Sequence, residues 1–340
     1  GRFLSELNEC GAGAFASCKG LNTLSDLCSN SQTDEPTELG MQAFSSCTAL
    51  KEVTFKGKWD YRYAVMAFFG CSSLSVAVLS LDCGIIPDSF MEGCSALTQV
   101  ICRKKMPTHI GERAFAHCRN LKKIDLHRVA EVREKGMYET GKEELRLPSV
   151  KNIEKQAFAH ILPLQKVFIG EKLQSIDGSA FDGDEALSEL EILADDFSFT
   201  DFSGIQPKSV AGRSLDFLTE MVFRNGDNLQ NLYVDEDVFT PDFRYFIHKA
   251  GFHLTKSDKK GYVLLTYTPG VPDTEGKDSH KNNPYRFYVG KDVGLTQEND
   301  YLLIFPDSCG YDDEKKEYYI AEGSIRYYAS DIREITVRHL

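Results

Sequence analysis

The sequence predicts an α/β solenoid, a right-handed coil of short parallel strands joined by short helical or irregular return segments, followed by a small mainly-β unit. Three observations carry this. The pattern Ala/Ser-aromatic-x-x-Cys-x-x-Leu, or a close relative, returns seven times, with its leucine at Leu21, Leu50, Leu74, Leu97, Leu121, Leu164 and Leu187. The intervals are 29, 24, 23, 24, 43 and 23 residues, so one of them is close to two periods. A fixed period of this size marks a coil in which each repeat stacks on the last. Three and five residues after each leucine the chain is apolar again, and a period of two reads as strand. After residue 254 the periodicity stops and tyrosine-rich runs begin.

Periods of roughly 20 to 29 residues belong to leucine-rich repeats. Each column of the pattern keeps one side-chain size. Cys18, Cys47, Cys71, Cys94 and Cys118 stand three residues before their leucines, and Phe15, Phe44, Phe68, Met91, Phe115, Phe158 and Phe181 stand six before. Five residues before the aromatics an apolar column runs Cys10, Leu39, Tyr63, Ile86, Ile110, Ile153 and Ile176. A single repeat buries none of these alone; stacking turns them into ladders, each Phe or Leu contributing roughly 1.5–3 kcal/mol. The return segments bearing Ala-Phe-x-x-Cys are expected as short helices.

The 43-residue interval holds a degenerate repeat. Val132, Gly136 and Met137 fill its upstream columns and Leu145 and Leu147 its strand, but the Cys-x-x-Leu segment is missing. A further copy has Leu218, Phe223, Leu229, Leu232 and Val234, and the phenylalanine-rich stretch from Phe197 to Phe202 hides another. Residues 1–250 therefore read as nine to ten repeats. Phe243, Phe246 and Ile247 lie at helical spacing before Gly251, so residues 239–250 are expected to form a helix that caps the open apolar end.

Residues 255–340 hold ten of the fifteen tyrosines and strand-like runs at Tyr262 to Tyr267, Tyr285 to Val289, Tyr301 to Phe305, Tyr318 to Ile320 and Ile332 to Val337. They read as a Tyr-rich β unit. The alternative is that Ile332, Ile335 and Val337 continue the repeat columns and close the coil with one divergent copy.

Composition is that of an ordinary globular chain, 42% hydrophobic and 26% charged. The formal charge of −12 opposes nucleic acid and acidic lipid as partners. No run approaches the roughly 18 apolar residues of a transmembrane segment. Gly1-Arg2-Phe3-Leu4 lacks a signal peptide's regions, so any export signal is expected outside these residues. Of ten cysteines, five belong to one column and read as small buried hydrophobes, not as a disulfide framework. Cys28, Cys83 and Cys309 fall outside the columns and are the ones to watch for reactivity.

No catalytic constellation stands out. His117 and His160 share a column but lie two repeat spacings apart, roughly 10 Å, too far for one metal ion. There is no Gly-x-Ser-x-Gly, His-Glu-x-x-His or phosphate-binding glycine loop. The acidic clusters Asp195-Asp196 and Asp312-Asp313-Glu314 lack the oxygen spacing of a calcium loop. The chain is expected to be no enzyme and to hold no cofactor.

With Ile110-Gly111-Glu112-Arg113-Ala114-Phe115-Ala116-His117-Cys118-Arg119-Asn120-Leu121 in view, and the segments Leu147–Phe158 and Ile169–Phe181 built alike, the chain resembles the BspA-type bacterial leucine-rich repeat family over residues 1 to about 250. That resemblance implies an exported or surface-attached bacterial protein that binds other proteins, host matrix or cell-surface proteins among them, in adhesion. It brings no catalytic residues and no fixed binding motif.

The binding surface is expected where strand residues point outward, two and four positions after each leucine. Most of these are polar, but Val76, Val78 and Ile101 gather on one stretch. The inserted Trp59-Asp60-Tyr61-Arg62 leads into the same region, and Trp59 and Tyr61 are residue types that dominate interface hot spots. A protein partner at Val76, Val78, Ile101, Trp59 and Tyr61 is the first expectation. Glycan binding by the C-terminal unit, whose tyrosine faces stack on sugars, is the alternative.

Overall fold

The computed structural model describes residues 9–28, residues 36–267 apart from isolated positions between 201 and 249, and six strands beyond residue 267. The chain divides into two compact units, Gly1–Val238 and Phe239–Leu340. Residues 239–250, expected as the end cap of the solenoid, thus group with the second unit. Phe243 and Ile247 have helical backbone there, and the positions between them lie outside the described residues.

The first unit is a coil of parallel strands. Its front ladder uses the strands predicted from the repeat columns, Thr23–Cys28, Glu52–Lys56, Val76–Leu81 and Gln99–Lys104, then Glu144–Leu147, Lys166–Ile169, Glu189–Ile192 and Asn231–Asp235, together with Ser209–Gly212, which no leucine announces. Register follows the columns. Leu24 faces Val53, Val53 faces Ala77 and Ala77 faces Val100; farther on Leu145, Val167, Leu190, Val210 and Leu232 pair in turn, all buried. Ser209–Gly212 is the copy hidden beyond the phenylalanine-rich stretch. Its phenylalanines pack instead on the helix Leu215–Asn225, where Phe202 and Phe217 rings meet at 5.7 Å.

A second, shorter ladder uses two- or three-residue strands just upstream of the aromatics, among them His109–Ile110, Glu131–Val132 and Asn152–Ile153. Here one column is corrected. Thr37 pairs with Trp59 and Glu38 with Asp60, which puts Tyr61, not Tyr63, in the buried place that Leu39 holds in the coil before. Two extra residues before Phe68 push Tyr63 out, to 61% exposure.

The return segments bearing Ala-Phe-x-x-Cys are not α-helices. They are successive tight turns in which the residues two before and two after the aromatic adopt left-handed backbone: Gln42 and Ser46 at φ 56° and 59°, Arg113 and His117 at 53° and 62°, Lys135 and Glu139 at 54° and 52°. Each such residue costs roughly 1–2 kcal/mol outside glycine. What holds them is an alternation of hydrogen bonds. Ala114, Ala116 and Cys118 donate within the turn to the third residue before them, whereas Arg113, Phe115 and His117 donate to Glu134, Gly136 and Tyr138 of the next coil. A regular α-helix would turn all these donors inward and leave the coils unjoined there. Among the described returns, Gly178–Phe181 closes into a 3-10 turn and the last one, after Ser209–Gly212, is the α-helix Leu215–Asn225.

Stacking then builds the core. Phe15, Phe44 and Phe68 lie face to face at 5.3 Å, as do Phe158 and Phe181 at 5.7 Å. The cysteine column is more than filler. The thiols of Cys47, Cys71, Cys94 and Cys118 each donate, at 3.0–3.1 Å, to the carbonyl of the Phe15, Phe44, Phe68 or Met91 column of the preceding coil. Burial pushes Cys47 up to about 11 and Cys118 up to about 12, which keeps these two thiols as donors, whereas the neighbouring Cys94 thiol lowers Cys71. Asp184 occupies the same column. One of its carboxyl oxygens accepts from the Ile161 amide at 2.6 Å, and burial pushes its pKa up to about 8.

The second unit is antiparallel. Phe252–Thr255 pairs with Tyr262–Tyr267; Arg286–Val289 pairs with Tyr301–Leu303 and Ile335–Arg338; Glu317–Glu322 pairs with Cys309–Asp312 and Ile325–Tyr328. The antiparallel pairing of Ile335–Arg338 rules out the alternative of a last parallel repeat. The side chains of the tyrosine-rich strands beyond Tyr267 lie outside the described residues, and with them the glycan expectation.

Phe115→Ala, at a fully buried position, lowers unfolding stability by about 3–5 kcal/mol in a denaturant titration. Asp184 has a folded pKa above its ordinary 3.8, so its stabilisation is complete below pH 4 and lost as pH rises towards 8. Asp184→Asn removes that slope. Between pH 4 and pH 8 the variant gains on the wild type, by at most about 1.4 kcal/mol for each step of one in pH, read from unfolding midpoints across that range.

Candidate interaction surface

The outward side chains of the front ladder form two rows. One runs Glu52, Val76, Gln99, Lys123, Glu144, Lys166 and Glu189; the other runs Thr54, Val78, Ile101, Asp125, Arg146, Phe168 and Glu191. Val76 and Ile101 are half-buried on this face, and Val78, between Thr54 and Ile101 in register, keeps 8% of its surface. The three are contiguous, and past them the rows turn to Lys123, Asp125, Glu144, Arg146 and Lys166, with Phe168 among the charges.

Trp59 and Tyr61 are not part of this surface. Both are fully buried, packed edge-on against the Phe55 ring at 4.9 and 5.5 Å. The Trp59 indole donates to the Lys56 carbonyl at 2.8 Å, and the Tyr61 hydroxyl accepts from the Ser80 amide at 3.2 Å. Their polar tips are satisfied inside the coil, which is why two large aromatics at a two-residue insertion fill the core here. Arg62 and Tyr63 carry the exposed part of the insertion. Arg62 binds the Asp60 carboxylate at 2.6 and 2.9 Å and holds it below the usual carboxylate range.

Just past Ile101 the front ladder breaks. In the coils on either side the carbonyl one residue after the leucine position accepts a backbone N–H of the next coil: Lys51 from Ser75, Ser75 from Thr98, Thr98 from Lys122, Glu143 from Gln165, Gln165 from Ser188. The Lys122 carbonyl instead accepts the Lys142 ammonium at 3.2 Å. The cause lies in the degenerate repeat. Phe115 precedes Ile124 by nine residues, but Met137 precedes Leu145 by eight, and the shortening puts Lys142 where a leucine belongs. Burial holds Lys142 below the ordinary lysine pKa.

Beyond the bridge of Gln99 and Lys123, residues 124–126 form no strand. A cleft of about 460 Å³ opens between residues 122–127 and 142–146. Ile124 and Leu126 keep their side chains inward, at 7% and 5% exposure, so the core stays sealed beneath. The missing Cys-x-x-Leu and the short double interval were the signals of this cleft in the sequence.

On the return side, the Tyr138 ring sits between those of His117 and His160 at 5.5 and 5.3 Å, keeping the histidines two coils apart. Glu139 pairs with His117 and Arg119 at 3.0 and 2.7 Å, which lowers its pKa despite burial. No group of three or more His, Cys, Asp and Glu among the described residues has a metal-binding arrangement. Cys83 is half-buried and unbridged; the side chains of Cys28 and Cys309 lie outside the described residues.

The sequence profile of the BspA type leucine-rich repeat region matches six copies, over residues 8–139, 85–203 and 151–248. The chain belongs to this BspA-type family. The BspA-type coil is also similar to solved structures. A leucine rich cell surface protein of Faecalibacterium prausnitzii A2-165 is 15% identical, with 70% of this chain and 85% of that one covered and a TM-score of 0.43. A leucine-rich repeat protein of Bacteroides ovatus ATCC 8483 is 18% identical, with 53% of this chain and 38% of that one covered and a TM-score of 0.32. No curated protein matches the chain.

The burial of Trp59, the single tryptophan of this BspA-type chain, has a direct readout. Its fluorescence is blue-shifted in the folded protein, and iodide quenches it far less than after unfolding in guanidinium. Equal quenching in both states contradicts the assignment.

Proposed function

We propose that this chain is a non-enzymatic interaction scaffold, exported and displayed at a cell surface, that binds another protein through the front face of its solenoid in adhesion. Family membership supports the scaffold reading. The observation that carries the position is the contiguous apolar stretch of Val76, Val78 and Ile101, in register on neighbouring strands and bordered by the cleft at Lys122. Between Lys123 and Glu191 the front rows are mostly charged, with both signs present, as in the Lys166–Glu189 pair at 2.6 Å. An apolar stretch with a polar border is the anatomy of a protein interface, its centre desolvated and its rim wet. Rigid parallel strands hold it in place, which spares the partner the entropy of ordering a loop. No helix among the described residues is long and apolar enough to cross a membrane.

The test uses the full chain on parallel arrays of host matrix proteins and of glycans. A matrix protein is captured, and Ile101→Asp and Val76→Asp each weaken that capture about tenfold or more, or about 1.4 kcal/mol. Capture of glycans alone, or protein capture indifferent to both substitutions, sinks the reading.

A further inference from the structure

We propose that the break in the front ladder is a seat for one extended peptide segment of the partner, held by main-chain hydrogen bonds. This rests on the reading that the chain binds protein through its front face, and it names what that face grips.

The walls of the cleft offer backbone. Among the described residues, Ile124, Asp125 and Leu126 donate no backbone hydrogen bond, and the strand Glu144–Leu147 bonds on one edge only, to Lys166–Ile169. An unpaired strand edge is a template for another strand. The charged side chains around it are already met. Lys122 pairs with Glu143 at 2.7 Å and Arg146 with Glu144 at 2.7 Å, Asp125 accepts from the His127 amide at 2.9 Å, and Lys142 binds the Lys122 carbonyl. Such walls carry little net field to select an ion, and what remains unsatisfied in them is peptide group.

The break is also held open. On the opposite side of the same coils His109–Ile110, Glu131–Val132 and Asn152–Ile153 pair without interruption, and Lys135, Met137 and Glu139 donate to the next coil. The coils are therefore pinned at the back and parted at the front, with the Lys142 side chain on the Lys122 carbonyl, the counterpart of one that binds the next coil on either side. The size suits a short strand: the Glu144–Leu147 edge is about 13 Å long at roughly 3.3 Å per residue. A segment leaving the cleft towards the N-terminal coils meets Ile101 next, so the occupant carries an apolar side chain beside its strand-forming residues.

The experiment pans the full chain against phage-displayed random dodecapeptides and follows the recovered peptides by titration and by hydrogen exchange. Expected are peptides that slow exchange of the amides of residues 124–126 and 144–147 about tenfold or more. Their binding weakens by a similar factor when alternate peptide nitrogens are methylated, and also in Lys142→Leu, which restores the leucine and lets the ladder close. The methylation result is read on the unmodified protein and does not depend on how that variant folds. Recovery of no peptide, protection elsewhere, or equal binding by methylated peptides overturns the proposal. If Ile101→Asp abolishes capture of a matrix protein while Lys142→Leu leaves it unchanged, the scaffold reading stands and the seat falls. If neither matters, both fall.

Discussion

The backbone hydrogen bond from one coil to the next is the constraint on which everything else in the solenoid depends. In the regular coils it is made on three sides, by the front strands, by the short upstream strands and by the alternate residues of the return turns. Those bonds fix a single spacing between coils, and the spacing dictates the side chains. Phenylalanine rings stack at 5.3–5.7 Å because the backbones carrying them are locked in step. The left-handed turn residues, unfavourable in isolation, persist because each is bound on to its neighbour coil. Even the cysteine column answers to this bond, since a thiol is a small side chain that still gives a proton to a carbonyl of the coil before it. Asp184 fits the same place by accepting from the Ile161 amide.

The candidate surface arises where that bond fails. In the shortened repeat Lys142 stands at the leucine position, and its ammonium takes a carbonyl that in the neighbouring coils binds the next strand. The loss is confined to the front because the other two sides of the coil keep their partners. A local change in repeat length thereby becomes a cleft in an otherwise closed sheet, next to the apolar stretch of Val76, Val78 and Ile101. The juxtaposition suits recognition of a polypeptide, with main-chain groups for affinity and an apolar shelf for specificity.

The insertion near Trp59 has the opposite consequence. Additional residues at that coil give the interior two large aromatics, each with its polar tip bonded to backbone, and expel Arg62 and Tyr63. Shortening a repeat opened the surface, whereas lengthening one filled the core. Both outcomes preserve the coil spacing, which the neighbouring coils enforce.

The sequence by itself determined the period, the columns, the strand positions and the place of the degenerate repeat, because burial in a stacked coil demands the same side chain at the same point each time. Alternation along a strand also placed Val76 and Ile101 on the outer face, whereas Val78 on the same face keeps only 8% of its surface. Only the tertiary structure decided that the Ala-Phe-x-x-Cys segments are left-handed turns and not helices, that Tyr61 and not Tyr63 fills its column, that Trp59 is core, and that the ladder opens at Lys122. Each of these depends on which group in an adjacent coil a backbone donor or a polar tip meets, and a pattern of side-chain sizes along one coil carries no record of its neighbour's hydrogen bonds.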